Sequence, residues 1–255
     1  MMPIQMPLPP TRLANTEQPA ILLFGDSHSH AVHLAVEKRL GTQCAAPLAV
    51  FRQLKEKNGR KVGNITFDGF LKRISQLSGE DVVLSMMGGN RHAIFGTTQH
   101  PQPFDFYSRD HRAPPRCGVE IISYRTLAAF FAKGISERVG RRLKAMRKAT
   151  AARVVHLVPP PPKADNEYIA LHHEKLYAIQ GIHSQGVSPP ELRLKFWLLQ
   201  ARILQQLCPN WGVDVMMPPP ETMREGFLRP EYYWPDTTHA NRLYGEVMLR
   251  SVEAE

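Results

Sequence analysis

The chain has 255 residues, enough for one large domain or two small ones around a substantial core. Its 43% hydrophobic and 22% charged content, with 17 Gly and 22 Pro, excludes a collagen-like or wholly disordered chain. No apolar run approaches the roughly eighteen residues that span a bilayer, and the net charge of +9 raises the question of where the basic residues lie.

The first segment, MMPIQMPLPPTRLANTEQPA, is broken by prolines and lacks both a basic start and a long apolar stretch. It reads as a loose arm over residues 1–18 rather than a secretory signal, ahead of a single domain over 19–255. Strand-like apolar runs come next at Ala20–Phe24, Leu48–Phe51, Asp81–Met87, Arg153–Val158 and Val213–Met217. They are aliphatic and lack strict alternation, the pattern of parallel strands buried on both faces.

Helices separate them. One begins after His28 and closes near Gly41. A second carries Phe67, Phe70, Leu71, Ile74 and Leu77 at helical spacing, with Thr66 as its N-cap. A third approaches from Ile121 and holds eight basic residues against Glu137 between Lys133 and Arg153. Ile135, Val139, Leu143, Met146 and Ala149 repeat within it, which predicts one amphipathic helix with a solvated basic outer face. No aromatic residues interleave to stack on bases, so neither a nucleic-acid nor a membrane partner is expected. A fourth helix opens at Ser188-Pro189-Pro190-Glu191, where Ser188 and Glu191 have capping-box spacing and Pro189 suits the first helical position. The last runs from about Asn241 to Val252. The order β-α-β-α-β-α-β-α-β-α predicts a three-layer α/β/α sandwich on a five-stranded parallel sheet, order 2-1-3-4-5, flavodoxin-like. Two long connections, about Phe95–Gly118 and Pro159–Ser188, are placed to roof a pocket.

Three cysteines, Cys44, Cys117 and Cys208, are far apart and form no CxxC pair. They suit a reducing compartment, so a cytoplasmic location is expected.

The chemistry gathers at strand ends. Gly25-Asp26-Ser27-His28-Ser29 sets a serine beyond the first strand, at the sheet edge where open α/β folds bind ligands. The adjoining helix N-terminus offers free N–H groups to a developing oxyanion. Met86-Met87-Gly88-Gly89-Asn90 ends the third strand, which should neighbour the first, so that Asn90 faces Ser27. Asp236-Thr237-Thr238-His239, ahead of the last helix, can bring a carboxylate to one imidazole nitrogen and leave the other free to accept a serine proton. Each block has a plainer alternative: Asp26 or Ser27, Asn90, and Asp236 or Thr237 are all residue types that cap helices.

Taken in order, GDSHS at Gly25–Ser29, GGN at Gly88–Asn90 and DTTH at Asp236–His239 resemble the SGNH (GDSL-type) hydrolases, a family of serine esterases, lipases and carbohydrate deacetylases. The resemblance implies Ser27 as nucleophile, His239 as general base and Asp236 as its orienting partner. It implies an oxyanion hole made by the Ser27 backbone N–H, the Asn90 side chain and the backbone N–H of a glycine after strand two. Gly63, in Lys61–Thr66, is the candidate for the last. Arg91 departs from the pattern, since an aspartate is common after the GGN asparagine.

The implied activity is hydrolysis of a carboxylic ester on a sugar or other small alcohol, with no metal or cofactor. An O-acyltransferase using the same triad, and a catalytically silent module binding glycans or a protein, remain alternatives. The blocks give no oligomeric state. A metallophosphoesterase shares Asp26-x-His28 and faintly Gly89-Asn90-Arg91-His92, but GDxxD and GHxH are absent. His28, His30 and His33 on one helix do not share a face for a metal. His156 is expected to be hydrogen-bonded within the fourth strand and His172 and His173 to lie in a loop or at the surface; for His92, beside Asn90, a plain structural place outweighs the alternative of reaching the site.

Overall fold

The computed structural model describes residues 20–41, 48–57 and 59–254; the arm expected over residues 1–18 and Cys44 lie outside them. Strands β1 (Ile21–Gly25), β2 (Leu48–Arg52), β3 (Val82–Met86), β4 (Arg153–Leu157) and β5 (Asp214–Met216) form one parallel sheet in the order β2-β1-β3-β4-β5. This is the expected 2-1-3-4-5 order.

The lack of alternation in these strands reflects burial on both faces. Leu22 and Phe24 of β1 join Phe51, Val83, Phe70, Phe131 and Leu143 on one side. Leu23 between them joins Val50, Leu84, Val32 and Tyr244 on the other. Each large apolar side chain so buried contributes about 1.5–3 kcal/mol against leaving it in water. Helices Phe67–Ile74, Arg141–Ala149 and Pro190–Leu207 cover the first face, and Ser29–Gly41 and Arg242–Glu253 the second.

The first and last helices touch along their backbones. A Cβ at Gly245 would come within 2.0 Å of the Ala31 carbonyl oxygen, so only glycine permits the approach. Arg39 adds a salt bridge to Glu246 at 2.7 Å. Because Ser27 precedes one helix and His239 the other, this contact joins two sequence blocks more than two hundred residues apart.

Thr66 caps its helix as expected, accepting from the Gly69 N–H at 3.1 Å. The capping box at Ser188 does not form. The helix starts at Pro190, not Pro189, and makes no side-chain cap bond. A residue ahead of a proline is driven out of the helical region, and Pro189 is accordingly extended at φ −54°, ψ 142°. Ser188 instead donates its N–H to the Thr97 carbonyl at 2.8 Å.

Other departures concern the connections. Lys55–Lys57 and Arg60–Val62 make an antiparallel hairpin between β2 and the second helix. The stretch 159–188 holds three short helices, Asn166–His172, Lys175–Ile179 and Ile182–Gln185, around Ile169, Tyr177 and Ile182. The basic helix buries Ile135, Val139, Leu143 and Met146 as expected, but Ser136–Gly140 within it is π-helical. Cys117 and Cys208 are free thiols, and burial pushes the latter's pKa up to about 12. No helix among the described residues is long and apolar enough to cross a membrane.

Candidate active site

The site lies at the carboxyl edge of the sheet, where β1 and β3 end side by side. The Asp26 N–H extends the pairing by donating to the Met86 carbonyl at 3.2 Å. Gly25 has no room for a side chain: a Cβ would meet that of Ser29 at 2.6 Å. Ser27 occupies the turn between strand and helix and is exposed. The capping alternative for Asp26 is not what the structure builds, because its Oδ2 accepts from the Gly88 N–H at 3.1 Å and its Oδ1 pairs with Lys55 Nζ at 2.6 Å. Asp26 ties the first block to the second.

The second block turns at Gly88, φ +66°, in the left-handed region that favours glycine. Gly89 is pinned by Gln200, whose Nε2 donates to its carbonyl at 3.1 Å while its Oε1 accepts from the His92 N–H at 2.9 Å. Asn90 occupies the N-cap position of Arg91–Gly96, yet its side chain makes no capping bond and is exposed. An amide without a local partner is free to donate elsewhere.

The third block is tightly organised. His239 Nδ1 and Asp236 Oδ2 are 2.5 Å apart, and Asp236 Oδ1 accepts from the backbone N–H groups of Thr238 and His239 at 3.0 and 2.8 Å. Burial pushes the Asp236 carboxyl up, but the His239 hydrogen bonds and charge, with the Lys163 ammonium, outweigh it and leave the group below its usual pKa. His239 Nε2 is buried and has no partner among the described residues. The His239 ring lies 4.6 Å, centroid to centroid, from His28, the residue after Ser27. No hydrogen bond joins Ser27 to His239.

Three residues beyond the sequence reading complete this arrangement. His28 is buried against Gly89 and His239, and desolvation, then His239 and His92, hold its pKa well below 6.5 against the pull of Asp236. It is a neutral wall of the site. Lys163, 1% exposed, donates to the carbonyls of Trp234, at 2.6 Å, and Asp236, and its Nζ lies 5.0 Å from the Tyr168 and Tyr233 ring centroids. Glu174 Oε2 accepts from the Thr237 N–H at 3.2 Å. No spacing in the sequence marks Lys163 or Glu174, because both belong to the long connection after β4.

Burial lowers the Lys163 pKa to about 8, with Asp236 and Glu174 opposing. Its folded value is below that of a free lysine, so stability rises with pH between about 8 and the free value, while below both the cost of burying the cation is constant. Activity should move the other way. Above pH 8 the cation that braces the Asp236 turn is lost, and kcat/KM should fall along an alkaline limb near pH 8. In Lys163→Met that limb should vanish from the rate profile; its persistence would assign it to another group.

The other expected positions are mixed. Gly63 has φ +93° and packs on the Gln53 carbonyl; the Gln53 N–H donates to Gly25 O at 3.0 Å, close to the end of β1. His92 is buried beside the site, its pKa lowered to about 4 by burial, with hydrogen bonding to Gln200 and the Gly89 backbone opposing. His156 Nδ1 is 3.2 Å from Ser85 Oγ within the sheet, as expected. His172 closes a helix and stacks on Tyr168 at 4.1 Å.

Metal-ligand geometry among the described residues occurs at Glu174, Asp236 and His239, whose ligand atoms lie within 4.8 Å of one another. Asp26 and His28 are not in that group. Of the donors that are, Glu174 Oε2 and Asp236 Oδ1 accept from the backbone N–H groups of Thr237, Thr238 and His239, while His239 Nε2 is unpartnered among the described residues.

The fold is SGNH hydrolase-like. The periplasmic domain of a Salmonella ser. Paratyphi A lipopolysaccharide acetyltransferase superposes with a TM-score of 0.52 over 94% of this chain and 84% of its own, at 12% identity. An extracellular lipase from Streptomyces rimosus gives 0.47 over 92% and 99%, at 10% identity. A GDSL-like lipase from Bacteroides thetaiotaomicron gives 0.44 over 92% and 86%, at 12% identity. No family model matches the sequence, and no curated protein matches it.

Proposed function

We propose that the chain is a serine hydrolase of carboxylic esters, with Ser27 as nucleophile, His239 as general base and Asp236 as its orienting partner. One observation carries this reading. The His239 ring is fixed at Nδ1 by Asp236, keeps Nε2 unpartnered, and packs on the residue next to Ser27.

Ser27 Oγ attacks the ester carbonyl as its proton passes to His239 Nε2. The tetrahedral oxyanion is met by the Ser27 N–H, the Asn90 amide and the Gly63 N–H. Collapse expels the alcohol, which takes the proton from His239, and leaves an acyl-Ser27 ester. Water, deprotonated by His239, then releases the carboxylic acid and restores Ser27. A sugar hydroxyl in place of water would make the same site an acyltransferase.

Reaction with a fluorophosphonate probe tests the reading. Labelling should map to Ser27, and a panel of acyl esters, with and without sugar acceptors, should show turnover. A folded protein that neither labels nor turns over esters would instead be a binding module.

Asn90→Ala separates oxyanion binding from capping. With no capping bond to lose, the variant should keep its unfolding midpoint and lose roughly 10²–10³ in kcat, with KM little changed. Wild-type turnover with about 1 kcal/mol lost in stability would mark Asn90 as a cap and remove it from the mechanism.

A further inference from the structure

Beside Asn90 the sheet edge opens into a cleft of 740 Å³, within the range of small-molecule sites. It reaches Asp26, the residue before Ser27, and is bordered by Lys55 of the hairpin and by the basic helix. Its charge is one-sided. Lys55, Arg91, Arg138, Arg141 and Arg142 line it, and the carboxylate in the lining, Asp26, is already paired with Lys55 at 2.6 Å. Among the described residues, none of these four arginines forms a salt bridge.

Two features show that the cations are held rather than merely present. The Arg91 guanidinium lies 4.6 Å from the Phe130 ring centroid and 5.4 Å from those of Phe95 and Phe131, and donates to the Phe130 carbonyl at 3.3 Å. It lies against Gly134, where a Cβ would come within 2.2 Å of it. Its Nε is buried without a partner among the described residues, and burial, then Arg138, weigh against its charged form, with Glu137 opposing. An incoming anion would relieve that cost.

The second feature is the π-helical segment Ser136–Gly140. A π-turn carries one residue more than an α-turn, which rotates the succeeding residues by about 100° and is frequent at functional sites. Here it ranges Arg138, Arg141 and Arg142 along the cleft while Val139 packs on Gly88. The basic face expected to be solvated thus partly lines a cavity.

We infer that this cleft binds a phosphate or carboxylate group carried by the ester that Ser27 cleaves, so that the substrate is an acylated anionic small molecule or glycan. Arginine forks match both anions with paired hydrogen bonds. The word ester rests on the hydrolase reading, whereas the anion site rests on the cleft alone.

Two esters of one chromophore test it: 4-nitrophenyl acetate, and the same acetate carrying a ring carboxylate, 5-acetoxy-2-nitrobenzoate. The wild-type kcat/KM for the carboxylated ester should exceed that for the neutral one at least about tenfold, and the ratio should fall as NaCl rises from about 50 to about 500 mM. Arg138→Glu, at an exposed side chain, should lower the ratio about tenfold or more. Arg142→Gln should lower it less, and Lys148→Glu, on the same helix outside the cleft, should leave it unchanged. Calorimetric titration with inorganic phosphate should show saturable binding to the wild type that Arg138→Glu abolishes.

Turnover of neither ester with phosphate binding lost in Arg138→Glu would defeat the hydrolase reading and keep the anion site. Equal turnover of both esters with no phosphate binding would overturn the anion site and keep the hydrolase. Binding to phosphatidylglycerol vesicles without binding to phosphate would overturn it in favour of a membrane contact.

Discussion

Ser27→Ala is expected to lower ester turnover by roughly 10⁴–10⁶ while leaving the fold unchanged. The structural cost is small because Ser27 is exposed, and the contact made by its backbone, the His30 N–H donating to its carbonyl at 3.1 Å, survives the substitution. The chemical cost is large because the neighbouring hydroxyl of Ser29 is not free to replace it. Ser29, two residues on, is fully buried and gives its hydroxyl hydrogen to the Asp26 carbonyl at 2.6 Å. Residual rate above water should remain, since the Asn90 amide and the Ser27 N–H persist. Steady-state kinetics beside the unfolding midpoint is the measurement. A folded Ser27→Ala protein within tenfold of wild type would place the nucleophile elsewhere and end the triad reading.

The sheet is legible in the sequence because burial on both faces leaves a plain mark. Five aliphatic runs map onto five strands within one or two residues, and the alternation of strands with helices gives their order. The three polar blocks are legible for a related reason. Each sits where a strand or a loop hands over to a helix; the strand order puts Ser27 and Asn90 at one edge, and the family resemblance implies His239 beside them. What closes the site is less visible. Lys163 and Glu174 come from a connection with no periodicity, and their partners are backbone groups around Asp236 that leave no trace in residue types. Helical spacing argues against His28 as a metal ligand but says nothing of its burial against His239, which depends on the close approach at Gly89.

Two departures from expectation are local. Asn58-Gly59, the strongest short hairpin signal, stands between Lys57 and Arg60, and it marks the hairpin missing from the expected order. The rule that disfavours helix before a proline moves the fourth helix start from Pro189 to Pro190. The basic helix differs for another reason. Spacing identifies its buried face correctly, but a π-turn changes the phase of the residues beyond it, and periodicity over eight charges cannot reveal that. Three of those charges, Arg138, Arg141 and Arg142, line the cleft beside Asn90.

The largest effect short of removing the nucleophile should come from Asp236→Asn, with kcat reduced about 10⁴-fold. The carboxylate has two tasks. Oδ1 accepts the N–H groups of Thr238 and His239, and Oδ2 takes the bond from His239 Nδ1. An asparagine keeps the first task with its carbonyl oxygen and turns its NH₂ towards Nδ1. That nitrogen must then accept, so the proton moves to Nε2, and His239 can no longer receive one from Ser27. Nitrogen NMR of His239 should show Nδ1–H in the wild type and Nε2–H in the variant, beside near-normal KM. Stability should report the same carboxylate. Because its folded pKa lies below the usual value, Asp236 stabilises the fold at neutral pH, and that contribution fades as pH falls through the ordinary carboxylate range towards the folded pKa. Asp236→Asn should therefore unfold with a weaker acid dependence, and the buried Lys163 ammonium, 3.7 Å from Oδ1, should lose a charge partner. A variant with the tautomer reversed but turnover intact would show that His239 is not the base.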